Sequence, residues 1–446
     1  MILSFGVSNY RSFASYAELF LSKRSLKTNH PTDGDWVSAT NQAVGLFGAN
    51  ASGKTSLIDA FYELCKLPGY SMRDDRFVRH LHNPHKLYKT EDVEFFLDFV
   101  HEDVRYRWEL SIGNSGITQE SVSASEHRQF KMIFEREGDD IKFGASSDIS
   151  ADAGGFIKQG STEWVSSVGA WMKAKDSGKY AQAFKWLSRF VRYISPEEQV
   201  GAFMPNFVTD LLKDKEWQKL AAPVLRFADV GVGELLLEEQ EVPARRRILA
   251  ERLAEVIRED LGNKDFKGFS VPEQEPILTF QHTAEDGKTF DLELMEESTG
   301  TRLWLETALP ALFTIYNGGV LVIDEIDSSL HPLLVRQLVG FFDDQELNQK
   351  GAQLIFTSHD LTLLGNFPNR AIEMDAAWLC EKKNSLSILK SIDEFKLPTT
   401  ANAEKRYMQG AFGAVPMVPE SEVRNSFFNL FTNLVEEPVL EEGISE

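Results

Sequence analysis

The stretch Gly48-Ala49-Asn50-Ala51-Ser52-Gly53-Lys54-Thr55 decides the fold, because it matches the phosphate-binding loop pattern G-x-x-x-x-G-K-[ST] at every required position. Residues 43–47 predict a short buried strand before it, and residues 56–64 predict a helix after it. The glycines allow backbone N–H groups to point at phosphate oxygens, where the positive end of the helix dipole also lies. The sequence therefore predicts a nucleotide-binding loop.

We expect the loop and the first turn of its helix to bind ATP. Lys54 would reach the outer phosphates, and Thr55 would offer its hydroxyl to Mg²⁺. The predicted ATP-binding residues are Gly48, Asn50, Ala51, Ser52, Gly53, Lys54, Thr55 and Ser56, with Arg11 as a further candidate. Arg11 follows the first predicted strand, and an exposed arginine in a surface turn is the other interpretation of this residue.

Composition limits the class of protein. The chain has 446 residues, a net charge of −21 and 42% hydrophobic residues, which is enough for a large core and disfavours broad coating of nucleic acid. The two cysteines, Cys65 and Cys380, form no disulfide or metal pattern, which suits a reducing cytoplasm. No signal peptide and no apolar run of about 18 residues is found, so we expect a cytoplasmic protein without membrane contact. A basic window at residues 72–89 leaves direct nucleic-acid binding open.

The pattern along the chain predicts four parts. They are an N-terminal ATPase lobe at residues 1–145, an inserted helical module at 146–228, a C-terminal ATPase lobe at 229–395, and a tail at 396–446 for packing or partner contact. Strand patterns at 93–100, 104–112 and 130–135 predict an antiparallel sheet in the first lobe. The aromatic residues of the helical module are expected to form its own core.

A second motif lies far along the chain, where an apolar strand at residues 319–323 ends at Asp324 and Glu325. An uninterrupted apolar run predicts a strand covered on both faces, and α/β sheets bind ligands at the carboxyl ends of such strands. We expect Asp324 to hold Mg²⁺ and Glu325 to act as the general base that polarises the attacking water. A buried strand that ends at a charged turn is the alternative.

Two further stretches complete the pattern. Glu297-Ser298-Thr299-Gly300-Thr301 opens a predicted helix, and a predicted strand at residues 353–358 ends at His359. This order of motifs resembles the ABC-type ATPases, specifically the branch of SMC and RecF proteins. Hexameric AAA-type motors are disfavoured, because they carry the acidic strand soon after the phosphate loop. The resemblance implies an α/β, ABC-type (SMC/RecF-like) P-loop ATPase head with an antiparallel β lobe and an inserted helical module.

The same resemblance implies roles for particular residues. The signature that acts in trans, on the ATP of a second subunit, would be Ser298, Thr299 and Gly300. His359 would be the switch histidine, and Asp327 and Ser329 would belong to the loop that crosses the dimer interface. The glutamine loop of ABC proteins has only a weak candidate, Gln119.

A narrower resemblance is to the bacterial OLD-like ATPases, which include the ATPase subunits of anti-phage pairs such as PARIS and the Rlo-type systems. It rests on Asn9-Tyr10-Arg11-Ser12-Phe13, the phosphate loop, the signature, residues 322–332 and residues 404–416. OLD nucleases continue after the histidine into a TOPRIM-type nuclease domain, and residues 360–446 are too few for one. The resemblance implies a defence sensor with a phage-derived trigger and a separately encoded effector, which we expect to be a TOPRIM-like nuclease.

The leading hypothesis is an ATP-hydrolysing regulator with ATP and Mg²⁺ as cofactors. It would form a homodimer, or a higher homo-oligomer, through its ATP sites. Two alternatives stay open: a RecF-like DNA-repair ATPase that acts directly on DNA, and a scaffold that binds ATP with little turnover.

Overall fold

A six-stranded sheet carries the phosphate loop and the acidic strand, and it shares one hydrophobic core with a seven-stranded sheet. The structure is a computed structural model that describes residues 1–195, 206–228, 232–259, 271, 273–284, 286–328, 330–367, 369–398, 401–413 and 424–428.

Strands and helices are mixed along the chain, and the predicted α/β class is confirmed. The strands are β1 (Ile2–Ser8), β2 (Ala17–Phe20), β3 (Ala43–Phe47), β4 (Val93–His101), β5 (Val104–Gly113), β6 (Gly116–Ser125), β7 (Lys131–Glu137), β8 (Asp140–Phe143), β9 (Val191–Ile194), β10 (Val232–Glu241), β11 (Gln274–Thr283), β12 (Thr289–Glu293), β13 (Val320–Ile323), β14 (Gln353–Ser358), β15 (Ala377–Lys383) and β16 (Leu386–Ser391). The helices are α1 (Lys54–Tyr70), α2 (Arg76–Leu81), α3 (Ala151–Gly160), α4 (Ser167–Lys173), α5 (Ala181–Phe190), α6 (Asn206–Leu212), α7 (Lys215–Ala228), α8 (Ala244–Glu259), α9 (Thr299–Asn317), α10 (Pro332–Asp343) and α11 (Ala403–Met408), with short 3-10 helices at Leu361–Leu364 and Ile392–Phe395.

The six-stranded sheet has the order β16–β15–β3–β14–β13–β9, and its β15–β16 hairpin is the antiparallel pair. Strands β3, β13 and β14 are buried along their whole length, as expected for apolar runs covered on both faces. Because these three strands are parallel neighbours, their carboxyl ends lie side by side. The loops that follow residues 47, 323 and 358 therefore meet at one edge of the sheet.

The seven-stranded antiparallel sheet has the order β2–β1–β4–β5–β6–β7–β8. Strands β4, β5 and β7 confirm the three strands predicted for this lobe, while β6 between β5 and β7 is not among the predicted ones. Its sequence, GITQESVSAS, is mostly small and polar, so it lacks the apolar alternation that marks a strand. Gln119, the candidate for the glutamine loop, lies exposed on β6.

The described helices of the segment at residues 146–228 do not have a core of their own. Helices α3–α5 belong to the large core, where Phe184 packs edge-on against Phe99 and Trp108 with ring centroids 5.4 and 5.6 Å apart. Strand β9 follows α5 directly and pairs with β13 in the six-stranded sheet. Helical periodicity marks an apolar face but does not tell which surface that face packs against, so the expectation that the aromatic residues of the segment form their own core is corrected here.

A second, smaller core lies beside the three-stranded antiparallel sheet β10–β11–β12. Side chains from α6, α7 and α9 pack there, including Leu212 and Leu225. Helix α9 contributes Trp304 to the large core and Leu309 to the smaller one, so it connects the two. Helix α8 leaves four apolar side chains exposed, which are Ile248, Leu249, Leu253 and Val256.

The chain after β16 packs on the body in part. Phe412 is buried, and its ring lies 4.8 Å from that of Phe395 between centroids. Residues 424–428 of the tail are helical, while 414–423 and 429–446, which include the acidic end, lie outside the described residues. Within the described part of the chain, no helix is long and apolar enough to cross a membrane.

Candidate functional site

The phosphate loop curls through three residues with positive φ: Gly48 at 147°, Ala51 at 58° and Gly53 at 113°. A Cβ atom on Gly48 would lie 2.2 Å from the carbonyl oxygen of Cys380, and one on Gly53 would lie 2.6 Å from Ser387 Oγ. Both separations are too short for a real Cβ, and both φ values suit glycine, so the loop requires glycine at each position. The loop is therefore formed against the β15–β16 hairpin.

Helix α1 starts directly after this loop with an uncapped N-terminus. Gly53 occupies the N-cap position and makes no side-chain hydrogen bond, and the first turn holds no acidic residue. The first N–H groups of a helix have no partner inside the helix and lie at the positive end of its dipole, so this end suits a phosphate. The predicted ATP-binding residues of the loop and this turn are together here: Gly48, Asn50, Ala51, Ser52, Gly53, Lys54, Thr55 and Ser56.

Lys54 is folded back onto its own loop. Its Nζ donates hydrogen bonds to the carbonyl oxygens of Gly48 at 2.9 Å and Ala49 at 3.1 Å, and the residue is 6% exposed. Burial lowers the pKa of Lys54, against the opposing effect of nearby anionic groups that include Asp324. The ammonium is thus held by neutral carbonyl oxygens, and charged phosphate oxygens would be stronger acceptors.

Asp324 joins the acidic strand to the phosphate loop, and it is 3% exposed. Thr55 Oγ1 donates a hydrogen bond to Asp324 Oδ2 at 2.8 Å, although the two residues are 269 positions apart. Thr357, in β14, donates its hydroxyl to Asp324 Oδ1 at 2.5 Å and accepts the backbone N–H of Glu325 at 2.7 Å. One carboxylate therefore connects the ends of β13 and β14 to the start of α1.

Glu325 and His359 follow neighbouring strands. Glu325 is half-buried and has a left-handed backbone with φ of 51°, which is uncommon for a residue with a side chain. The exposed His359 is fixed through its backbone, since its N–H donates to the Asp327 carboxylate oxygens at 3.1 and 3.2 Å. The structure thus brings Glu325, Asp327 and His359 to one edge, while Ser329 lies outside the described residues.

The residues at this edge fit a Mg²⁺–nucleotide. Mg²⁺ prefers oxygen ligands and is usually held by one or two carboxylates together with water and substrate phosphates. The Thr55 hydroxyl and the Asp324 carboxylate supply such oxygens. Among the described residues there is no group of three or more His, Cys, Asp or Glu side chains that would hold a metal by itself. The buried Ser52 Oγ lacks a hydrogen-bond partner, which leaves a polar group of the loop for a phosphate to satisfy.

Arg11 is engaged by the chain itself. Its Nη1 lies 2.8 Å from Asp59 Oδ2, and the Tyr193 hydroxyl donates to Asp59 Oδ1 at 2.9 Å. Asp59 lies on α1 one turn after Thr55, so this network ties the end of β1 and strand β9 to the helix that follows the loop. A contact between Arg11 and the nucleotide stays a prediction.

Residues that support the loop are absent from the sequence-based candidates. The Ser52 carbonyl oxygen accepts the Ser387 hydroxyl at 2.5 Å and the Cys380 thiol at 3.1 Å. Ser387 Oγ also lies 2.7 Å from Ser12 Oγ, so the β15–β16 hairpin meets both the loop and the stretch at residues 9–13. Burial raises the pKa of Cys380 to about 11, which keeps it a thiol at neutral pH. In the sequence, residues 9–13 are a stretch of the narrower resemblance, and they include a partner of this hairpin, namely Ser12.

The signature turn lies at the start of α9 and faces solvent. Ser298 is the N-cap, and its Oγ accepts the backbone N–H of Thr301 at 3.0 Å. Ser298 and Thr299 are exposed, and a Cβ atom on Gly300 would lie 3.9 Å from Ser298 Oγ, in ordinary contact. In the described part of the chain the turn forms hydrogen bonds within residues 297–302 and with His282 and Met295. Within the described residues, the predicted signature thus makes no hydrogen bond to the phosphate-binding residues of its own chain.

The basic window at residues 72–89 is neutralised in part by its own acids. Arg76 pairs with Asp74 at 2.6 Å, and Arg79 pairs with Asp75 at 2.9 Å. The Arg79 guanidinium also lies over the Trp164 ring, 4.2 Å from its centroid. Two of the basic side chains thus have local partners, which weakens the window as a surface for nucleic acid.

Comparisons with known proteins find one family model and similar solved structures. Residues 180–365 match a family model described as "AAA domain, putative AbiEii toxin, Type IV TA system". The matched segment contains the signature turn, the acidic strand and His359. Among solved structures, the SMC head domain from Thermotoga maritima is similar with a TM-score of 0.41 and 10% sequence identity, over 87% of this chain and 98% of that chain. No curated protein matches.

Proposed function

We propose that the protein is an ATP-binding and ATP-hydrolysing regulatory subunit that works as a head-to-tail dimer. The observation that carries the proposal is the 2.8 Å contact between Thr55 Oγ1 and Asp324 Oδ2. A chance match to the loop pattern gives no reason for a buried carboxylate of a distant strand to lie on this hydroxyl. The match of residues 180–365 to an AAA domain supports the same class of protein.

In this proposal the chain's own groups hold the phosphates and activate water. The loop N–H groups and Lys54 bind the phosphates, while Thr55 and Asp324 hold Mg²⁺, which when bound neutralises part of the phosphate charge. Glu325, next to Asp324, accepts the proton of the attacking water. His359 lies at the adjacent strand end and would respond to the presence of the outer phosphate.

The signature of a second copy completes the site in this proposal. The exposed Ser298 and Thr299 at the N-terminus of α9 form a surface that favours anions. Two copies related by a twofold axis would each bring this turn to the other's phosphate loop, which gives two equal sites. ATP would therefore hold the dimer together, and hydrolysis would release it.

The regulatory role is proposed for anti-phage defence. It is supported by the resemblance to the OLD-like ATPases and by the description of the matched family, which names a type IV TA system. We propose that the dimer controls a separately encoded effector, expected to be a TOPRIM-like nuclease, and that a phage-derived trigger changes that control. The net charge of −21 and the partly neutralised basic window favour this role over direct action on DNA.

Hydrolysis is tested with Glu325→Gln. The amide keeps the size of the side chain but accepts no proton, so we expect phosphate release to fall at least about 100-fold. ATP affinity, measured by calorimetry, should stay within about twofold. The exposed Glu346→Gln is the matched control and should behave as wild type. Unchanged turnover in Glu325→Gln would contradict the mechanism. A wild-type protein that binds ATP but does not hydrolyse it would favour the scaffold alternative.

The head-to-tail arrangement is tested by mixing two inactive variants, Lys54→Ala and Ser298→Arg. Random pairing gives heterodimers that combine one doubly defective site with one intact site, so turnover should recover to about a quarter of wild type. If the signature acted within its own chain, every site would carry one defect. Mixing would then restore no turnover.

The defence role is tested by the plating efficiency of phages on cells that carry the gene with its native neighbours. The wild-type locus should lower plating, and the Glu325→Gln locus should restore it. A locus without effect on any phage would contradict the proposed role. Binding of the purified protein to DNA that weakens steeply with salt would favour the repair alternative instead.

A further inference from the structure

A buried histidine–glutamate pair lies directly before the signature turn. His282 on β11 and Glu297 are 8% and 7% exposed, and His282 Nε2 is in close contact with Glu297 Oε1. Phe290, opposite His282 on β12, stacks on the imidazole with ring centroids 5.3 Å apart and an angle of 16° between the planes. The imidazole is therefore fixed by the glutamate on one side and by an aromatic ring on another.

The second oxygen of Glu297 reaches the turn itself. Glu297 Oε2 accepts the backbone N–H of Ser298 at 3.2 Å. Ser298 Oγ in turn accepts the N–H of Thr301 at 3.0 Å and lies 2.7 Å from Thr301 Oγ1. A continuous chain of hydrogen bonds thus runs from the three-stranded sheet, through one carboxylate, into the first turn of α9. The exposed signature residues take their position from this buried group.

Stability alone gives no reason for this pair. Burial of ionisable partners is unfavourable, and apolar side chains of similar volume often serve a core equally well or better. A carboxylate that bonds an imidazole and a backbone N–H fixes a direction, which apolar packing does not. The chemistry of the pair therefore points to orientation of the turn.

We propose that His282 and Glu297 are positioning residues, which hold the signature turn in the orientation that caps the phosphates of a second copy. The inference rests on the proposed function and deepens it. Neither side chain is part of the phosphate loop, so ATP affinity is set elsewhere and the pair acts on the rate. Because His282 belongs to β11, contacts made on the three-stranded sheet would reach hydrolysis through this pair.

The experiment compares full-length Glu297→Gln and His282→Gln with wild type. A misplaced turn should lower kcat about tenfold or more, because small displacements of capping groups have large effects on rate. KM for ATP should stay within about twofold, since the loop of the same chain holds the nucleotide. Glu293→Gln is the matched control, because Glu293 is exposed on β12 and receives the same substitution. Calorimetric ADP affinity reports whether each variant keeps its folded loop.

A double variant shows whether the two residues act as one unit. The kcat of the double variant His282→Gln/Glu297→Gln should be no lower than that of the worse single variant, whereas losses that multiply would overturn the inference. The inference would also be overturned if the kcat of Glu297→Gln equalled that of wild type. It would likewise be overturned if ADP affinity fell by the same factor as kcat. The proposed function has its own readout. It fails if the wild-type protein has no ATP turnover that the substitution Lys54→Ala removes. If wild type is active and Glu297→Gln is equally active, only the positioning role is refuted.

Discussion

The phosphate loop and the signature turn both lie at helix N-termini, but the chain holds them in opposite ways. The loop is enclosed in part: Lys54 and Asp324 are buried, and the Ser52 carbonyl oxygen accepts hydrogen bonds from two side chains of the β15–β16 hairpin. The signature turn is open, with Ser298 exposed and held from behind by Glu297. In the proposed function this difference means that the loop of one chain holds the phosphates, whereas the capping turn is presented outward to a second copy.

The largest effect is expected at the enclosed half. Lys54→Ala removes the buried ammonium that is proposed to bind the phosphates, so turnover should fall about 10³-fold, in the range seen when a charged or hydrogen-bonding group is removed from a transition state. Phosphate release and calorimetric ATP binding measure the loss. The exposed Lys89→Ala is the control. ATP affinity and rate equal to wild type would show that this half does not grip the phosphates.

A smaller effect is expected at the junction of β13 and β14. Thr357→Val removes the hydroxyl that donates to Asp324 and accepts the N–H of Glu325, so kcat should fall about 10- to 100-fold. Thr357→Ser keeps the hydroxyl and should retain most of the activity. If the Thr357→Val variant were as active as the Thr357→Ser variant, the activity of the enclosed half would not depend on this junction.

The buried ammonium also predicts a pH effect on the enclosed half. Burial lowers the pKa of Lys54, so the free loop loses its charge at a lower pH than an ordinary lysine would. Bound phosphate raises this pKa, so ADP affinity should fall as pH rises from the pKa of the free protein to that of the complex. Calorimetry from about pH 8 to pH 10.5 measures the fall. Lys54→Arg stays charged and should show no such fall; a parallel decline in both proteins would contradict the assignment.

The smallest effect is expected where the hairpin supports the loop. Ser387→Ala removes one hydrogen bond to the Ser52 carbonyl oxygen, which should lower the free energy of unfolding by about 1 kcal/mol. Because the loop loses a support, ADP affinity should weaken a few-fold as well. Denaturant unfolding and calorimetry measure the two changes, with the exposed Ser25→Ala as control. If Ser387→Ala changed the stability but not the ADP affinity, the hairpin would not support the nucleotide-binding function of the loop.

The local parts of the site could be predicted from the sequence. A strand, a glycine-rich loop and a helix follow each other within residues 43–70, and the apolar run before Asp324 identifies its own strand. Such features depend on neighbouring residues, so periodicity and the loop pattern are enough to find them.

The supporting parts depend on contacts between distant residues, which periodicity does not contain. Strand β9 has four residues and directly follows a helix, so nothing in its sequence reveals that it pairs with β13. The contact of Ser387 with Ser52 spans 335 positions, and that of His282 with Glu297 depends on the fold of the small sheet. The sequence therefore predicts the groups that are proposed to bind the nucleotide better than those that hold these groups in place.

The place of β3 in the six-stranded sheet has a consequence for biosynthesis. Its two neighbours, β14 and β15, are made late by the ribosome, long after the phosphate-loop sequence has emerged. Pairing between such distant segments is slow and leaves strand edges exposed in the meantime. A nascent chain that ends before the β15–β16 hairpin therefore carries the loop sequence without the strands that close it. We expect ATP to protect only chains that have been synthesised past residue 391.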